Sequence, residues 1–262
     1  MSDILPAGFV TSSFSLDGRV AAVTGGGSGL GAAISAGLAQ AGAVVAVLDV
    51  DVDKAAGVAA AIADAGAQAH VVECDVTDAA SIRAAADQVV ELGGGADILV
   101  NSAGTAFRCP AEEFPEDQLD RVLTLNLKGT YLSCQAFGRH MLRKGRGNIV
   151  NIASIGGFVA YPQATAYLAS KGGVVQLTRG LALEWIGKVR VNGIAPTLFD
   201  TPLTRQVTRA SSVTSEFIEA RSLRDELPEP QHVVGAAVFL ASDASAMVTG
   251  HTLPVDDGYL VA

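Results

Sequence analysis

Tyr167 and Lys171 lie four residues apart, a spacing that puts two side chains on one face of a helix, and Val175 continues that face. A phenol beside an ammonium is a pair that can move a proton, and a lysine drawn onto an apolar face is costly unless it finds partners. Ser154 lies 13 residues before Tyr167, at the end of the apolar run 148–153. Asn126 interrupts a stripe made by Leu119, Val122, Leu123 and Leu127 at helical spacing, so its amide must find hydrogen-bond partners inside. Far upstream, Thr24-Gly25-Gly26-Gly27-Ser28-Gly29-Leu30-Gly31 follows an apolar run and precedes an alanine-rich stretch. Glycines there let the chain turn tightly, admit phosphate oxygens to the backbone and turn the free N–H groups of a helix start toward an anion. Asp49 stands 20 residues beyond Gly29, where a carboxylate can accept the ribose hydroxyls of a dinucleotide and repel a 2′-phosphate. With Ser28 in the turn and Val50 after Asp49, no basic residue is adjacent, which favours NAD over NADP.

Elements must hold these groups together. Apolar runs recur at 19–24, 43–48, 69–73, 97–101, 148–153, 189–195 and 252–255, separated by alanine-rich stretches with helical spacing such as Val58 with Ile62. Strand–helix alternation with continuous apolar strands implies a parallel sheet covered on both faces, an α/β doubly wound (Rossmann) domain of about seven strands. The carboxyl ends of such strands are where ligands bind, and Ser154 ends one of them. No linker or repeat divides the chain, so residues 1–262 are expected to form a single domain. The more polar stretch 199–230 is its candidate lid.

Composition narrows the classes further. Of 262 residues 49% are hydrophobic, 27 are acidic and 18 basic, a net charge of −9. Disorder is excluded, and an acidic chain argues against a nucleic-acid partner. No apolar run reaches membrane-spanning length, and the first 18 residues lack a basic start and an apolar stretch, so the expected place is the cytoplasm with no membrane partner. Cys74, Cys109 and Cys134 show no paired spacing, and the four histidines form no ligand pair, so no metal site is expected and the cysteines are expected to be small, partly buried apolar residues.

Taken together in chain order, these residues resemble the short-chain dehydrogenase/reductase family from about Leu16 to Gly258. The family's T-G-x-x-x-G-x-G is matched by Thr24, Gly25, Gly29 and Gly31, and its adenine-contacting aspartate by Asp75 in Cys74-Asp75-Val76. Its N-N-A-G is matched by Asn101-Ser102-Ala103-Gly104, with serine for the second asparagine. Its catalytic tetrad is matched by Asn126, Ser154, Tyr167 and Lys171, and its P-G-x-x-x-T by Pro196 through Thr201, with Thr197 for glycine. The resemblance implies an NAD site built from Gly25, Ser28, Gly29, Leu30, Asp49, Asp75, Val76, Asn101, Ala103, Gly104, Tyr167, Lys171, Pro196, Leu198 and Thr201, with Thr201 on the nicotinamide carboxamide.

By the same resemblance, Tyr167 takes the hydroxyl proton of an alcohol as hydride leaves its carbon, and Ser154 holds the oxygen. Lys171 and the positive nicotinamide ring stabilise the phenolate, whose reference pKa is ~10. Lys171 also grips the nicotinamide ribose, and Asn126 positions a water that relays the proton. The implied reaction is secondary alcohol to ketone on a polyol, sugar or sugar acid. A second reading is an NADP-linked 3-oxoacyl thioester reductase, and a third, of another class, is a non-catalytic NAD-binding sensor or scaffold. Arg205, Arg209, Arg221 and Arg224 are candidates to meet an anionic substrate, with solvated helix charges as the alternative. Phe158, Tyr161 and Phe199 are candidate pocket walls. Family members of this pattern assemble as homotetramers, and apolar Leu253, Val255, Tyr259, Leu260 and Val261 suit burial at such an interface.

Overall fold

The computed structural model describes residues 5–223 and 226–262. Seven strands, β1 Val20–Thr24, β2 Val44–Asp49, β3 Ala69–Glu73, β4 Ile98–Asn101, β5 Gly147–Ile152, β6 Val189–Pro196 and β7 Thr252–Val255, pair in parallel in the order β3-β2-β1-β4-β5-β6-β7. Each begins and ends within one residue of the run that marks it. The helices are α1 Phe9–Phe14, α2 Gly29–Gln40, α3 Val52–Asp64, α4 Ala79–Gly93, α5 Glu116–Leu123, α6 Gly129–Lys144, α7 Thr165–Glu184, α8 Pro202–Ala210, α9 Ser212–Glu219 and α10 Val234–Ala241.

Alternation along the strands divides the core between the two faces. Ala22, Leu99, Ile149 and Val191 point to one side, where they pack with Ile82 and Val89 of α4 and Phe137 and Met141 of α6. Ala21, Val23, Val100, Val150 and Ile194 point to the other and meet Ile34 and Leu38 of α2 and Leu240 of α10. Phe137 and Met141 are completely enclosed, and burial of each is worth about 1.5–3 kcal/mol. The inner strands, buried on both faces, need no polar alternation, which is why their runs read as largely apolar, whereas the edge strands β3 and β7 are part-exposed.

The order of strands reverses between β1 and β4, and helices leave the sheet in opposite directions from that point. The crevice so formed lies at the carboxyl ends of the strands, where the glycine turn follows β1, Asp49 closes β2 and Ser154 follows β5. Among the described residues no helix is long and apolar enough to cross a membrane. Cys74 and Cys134 are buried thiols, both pushed up to about 12 mainly by that burial.

Candidate active site

The dinucleotide half is made largely of backbone. Gly25 has φ 64°, and a Cβ on it would fall 2.7 Å from Ala103 Cα, so the turn after β1 must be bare to pass the loop after β4. Ser28 precedes α2 in an extended conformation without capping the helix by its side chain, and Ser28, Gly29 and Leu30 line the crevice. First-turn amides therefore face the cavity, the arrangement that binds phosphate. Asp49 accepts hydrogen bonds from the Gly27 N–H (3.0 Å) and the Asp51 N–H (3.0 Å). A Cβ on Gly27 would stand 2.9 Å from the same carboxylate, so that glycine is what admits Asp49 to the crevice. Asp49 both ties down the turn that follows it and lines the cavity with Asp75 and Val76. These groups suit an adenosine diphosphate: unpaired amides for the phosphates and a carboxylate for the ribose diol.

Sequence adjacency suggests no base near Asp49, but the fold supplies one. Lys54, in the first turn of α3, comes within electrostatic range of Asp49 while its Nζ pairs with Asp51 at 2.6 Å. Helical geometry, not neighbouring numbers, brings it there.

On the other side of β1, Ser154, Tyr167 and Lys171 meet in the same cavity, with Ala103, Gly104, Pro196, Leu198 and Thr201 along the wall between. Lys171 is buried, its Nζ donates to the Ile152 carbonyl at 2.7 Å, and desolvation lowers its pKa to about 8. Its ammonium is 5.8 Å from the centre of the Tyr167 ring. Burial pushes the Tyr167 phenol up, while the Ser154 hydroxyl and the Arg108 guanidinium oppose the rise. The Arg108 guanidinium therefore bears on the phenol in this structure, and the Lys171 ammonium has one hydrogen bond to protein among the described residues, at the strand end. Ser154 Oγ also accepts from the Gly156 N–H at 3.1 Å, which fixes it at the end of β5. Thr201 Oγ1 accepts from the Thr204 N–H (3.2 Å) as the cap of α8, and its side chain packs across from Gly29. The Thr197 backbone stays paired to β7, its N–H donating to the Val255 carbonyl, so threonine there leaves the path of β6 intact.

Two residues named from the sequence stand elsewhere. Asn101 is in the sheet interior, its Nδ2 donating to Asn151 Oδ1 (2.9 Å) and Cys134 Sγ (3.2 Å), and it does not line the cavity. Asn126 is wholly buried in a π-helical turn, 124–128. Its Oδ1 accepts from the Thr105 N–H (2.8 Å), and its Nδ2 donates to the Thr105 carbonyl (2.9 Å) and Ser170 Oγ (3.0 Å). The side chain is bonded to protein on both sides of its amide and so braces the loop after β4.

Of the candidate walls, Tyr161 and Phe199 line the cavity, whereas Phe158 is exposed. Among the candidate anion receptors, Arg205 is engaged by Asp200 through two bonds of 2.7 and 2.8 Å, and Arg221 lies over the Tyr259 ring. Arg209 is exposed and Arg224 lies outside the described residues. None of the first three lines the cavity; Arg108 does, and it was missed because nothing in its local sequence marks it. Its guanidinium carbon is 5.1 Å from the centre of the Tyr167 ring and 5.6 Å from that of Tyr161. Tyr259 packs inside this chain, against the cluster of Ile155, Tyr161 and Ile218, and is not left over for an interface.

A family model described as enoyl-(acyl carrier protein) reductase matches residues 25–260. D-threitol dehydrogenase of Mycolicibacterium smegmatis is 45% identical over 95% of this chain and 95% of its own. The chain belongs to the short-chain dehydrogenase/reductase family. Within that family, 5-keto-D-gluconate 5-reductase of Escherichia coli K12 is 36% identical over 95% of this chain and 98% of its own. A gluconate 5-dehydrogenase from Burkholderia cenocepacia J2315, solved in complex with NADP and tartrate, superposes with a TM-score of 0.90 at 38% identity, covering 97% of this chain and 99% of that one. The protein is a short-chain oxidoreductase with a nicotinamide cofactor site, acting on the CH–OH group of a small molecule.

Proposed function

We propose that the protein is an NAD-dependent dehydrogenase that oxidises one secondary alcohol of a small polyol, sugar or sugar acid to the ketone. The observation that carries this reading is the meeting of Tyr167, Ser154 and buried Lys171 in one cavity whose far end holds an uncapped helix start and Asp49. When bound, the nicotinamide supplies the hydride acceptor. Tyr167 takes the alcohol proton at its phenolic oxygen, and Ser154 donates to the substrate oxygen and holds it against that phenol. Lys171 keeps its proton at neutral pH and, fixed on the Ile152 carbonyl beside Gly104, is placed to grip ribose hydroxyls. Asn126 is a positioning residue that holds Thr105 and, through it, the loop on which Gly104 sits.

Relatives named for D-threitol and for 5-keto-D-gluconate support a polyhydroxy substrate. Asp49 supports NAD, because a 2′-phosphate would be pressed against its carboxylate. Lys54 is the observation that favours NADP, and its pairing with Asp51 limits what it offers. Comparing kcat/KM for the two cofactors on a panel of polyols and aldonates tests the proposal. Preference for NAD with at least one such substrate is expected, and equal or better use of NADP contradicts it.

The single domain carries a lid: α8 and α9 bring Pro202, Leu203, Val207 and Ile218 to the cavity, and closure of this segment over substrate would exclude water. A homotetramer is supported by exposed Leu119 on α5, Tyr131 on α6 and Leu183 on α7, and by the open edge of β7. Sedimentation as a monomer would contradict it. Buried free thiols at Cys74 and Cys134 accord with a cytoplasmic setting.

A further inference from the structure

The geometry points to Tyr161 as a positioning residue for the chemical step: its hydroxyl donates to Ser154 Oγ, so that the serine is left with its own O–H to offer and gives it to the substrate oxygen. The inference rests on the dehydrogenase reading for what Ser154 does to substrate, and on the two hydroxyls themselves for the bond between them.

A serine hydroxyl has one hydrogen to donate and two lone pairs with which to accept. In Ser154 one lone pair is taken by the Gly156 N–H at 3.1 Å. Tyr161 and Ser154 are both buried, and both line the cavity. A Cβ on Gly156 would stand 2.8 Å from the Tyr161 hydroxyl oxygen. The residue that gives its N–H to Ser154 is thus also the one whose bareness lets the second phenol approach. Burial pushes the Tyr161 phenol up, its neighbour Tyr167 adds to the rise, and Arg108 and the Ser154 hydroxyl oppose it. Tyr161 therefore keeps its proton through the neutral range and has it to give, and Ser154 is the side chain within hydrogen-bonding reach of it. Ser154 bears on Tyr167 as well, so one serine stands between two phenols. With both lone pairs filled, its O–H turns to the oxygen on which charge develops, and a donor already aimed needs no rotation at the moment of reaction. Donation from a phenol also polarises the serine and strengthens the bond it makes in turn.

The ring of Tyr161 is held in place from several sides. It packs with Ile155, Ala164, Ile218 and Tyr259, and the Arg108 guanidinium carbon stands 5.6 Å from its centre. The chain that follows it is tied twice: the Pro162 carbonyl accepts from Thr214 Oγ1 at 3.0 Å, and the Gln163 carbonyl from the Cys109 N–H at 3.1 Å. Gln163 has φ 57°, a left-handed conformation that a non-glycine residue adopts only when its surroundings impose it. Its Oε1 accepts from Ser211 Oγ at 2.6 Å, at the junction of α8 and α9. A phenol anchored in this way presents its O–H at little further cost in side-chain freedom.

The test uses the full-length enzyme in four forms: wild type, Tyr161→Phe, Ser154→Ala and the double variant. Phenylalanine keeps the ring and its packing and removes the hydroxyl. Denaturant unfolding reads the bond without turnover: the double variant is expected to lose less than the sum of the two single losses. Kinetics on a panel of polyols and aldonates read its consequence. Tyr161→Phe is expected to lower kcat by roughly three- to tenfold with KM for NAD unchanged, and to cost nothing further in the Ser154→Ala background. Because Ser154 then donates less firmly to the Tyr167 oxygen, the acid limb of kcat/KM is expected to move to higher pH by about half a unit to one unit. Additive losses in either measurement, an unmoved pH profile, or a loss confined to KM, which would make Tyr161 a contact of the substrate, would overturn the proposal. Overlapping losses in unfolding with no turnover by wild type would uphold Tyr161 as the holder of Ser154 and overturn the dehydrogenase reading. Turnover with additive losses in both measurements would do the reverse, and additive unfolding losses without turnover would overturn both.

Discussion

The two ends of the cavity are built on different principles. Around β1 and β2 the site consists of main chain: a turn that must be glycine, an uncapped helix start and one carboxylate held by two backbone N–H groups. Around β4 and β5 it consists of side chains carried on loops and on α7, gathered from residues as far apart as Arg108, Ser154, Tyr167 and Ile218. In the proposed function the first end takes the constant group, the cofactor, through backbone geometry. The second meets the substrate with side chains, whose identity can change without altering the fold.

Each contrast can be broken or sharpened by substitution. The largest effect is expected at the chemical centre: Tyr167→Phe should lower turnover by roughly 10²–10⁴-fold while NAD binding, measured by calorimetry, stays within a few-fold of wild type. Substantial turnover in that variant removes Tyr167 from the mechanism. Asp49→Ser should shift the NAD:NADP ratio of kcat/KM by tenfold or more toward NADP, since it removes a like charge from beside the 2′-phosphate. An unchanged ratio would mean that Asp49 serves only the turn it caps.

Lys171 sets function against stability. An unfolded lysine titrates near 10.5 and the buried one near 8. Below about pH 8 both states hold the proton and the fold bears the cost of the buried charge. Between about 8 and 10.5 the unfolded chain binds more protons, so wild-type stability rises with pH and the cost disappears. Lys171→Met should therefore be more stable than wild type at pH 7, by up to about 3 kcal/mol, with the difference closing toward pH 10, and should be inactive. Denaturant titration across that range checks it; a variant less stable at pH 7 would show that the bond to the Ile152 carbonyl outweighs desolvation. The smallest effect is expected at Gln163→Gly, where release of the left-handed strain offsets the lost bond to Ser211 to within about 1 kcal/mol. KM for the alcohol should rise there and KM for NAD should not; a rise in both would join the two ends that the comparison separates.

The same division explains what could be read from the sequence. The inner strands were legible because burial on both faces demands largely apolar runs, and the turn at Gly25 and the carboxylate at Asp49 because their spacing follows from one strand–turn–helix unit. Tyr167 and Lys171 were legible because they lie on one helix, where four residues make one turn. Arg108 was not, since it acquires its neighbours only when separate elements pack, and Lys54 was not, since the first turn of its helix folds it back toward Asp51 and Asp49. Asn126 was legible as a polar residue on an apolar stripe and Asn101 through the family resemblance, yet the direction of their bonds was not. Both turn inward to protein, because the nearest partners, Asn151 and the Thr105 backbone, are supplied by chain distant in sequence. Lid arginines looked available on charge alone, and the ion pair of Arg205 with Asp200 shows why charge without partners is a poor guide.

The proposed function requires that the phenol of Tyr167 and the hydroxyl of Ser154 face a nicotinamide whose adenosine end is held at Asp49. A structure of the protein with NAD and a bound polyol or aldonate tests it most directly. The expected result is the ribose of the adenosine on Asp49, with the substrate oxygen within hydrogen-bond reach of both Tyr167 and Ser154. A dinucleotide bound with its adenosine away from Asp49, or a substrate oxygen out of reach of both groups, would contradict it.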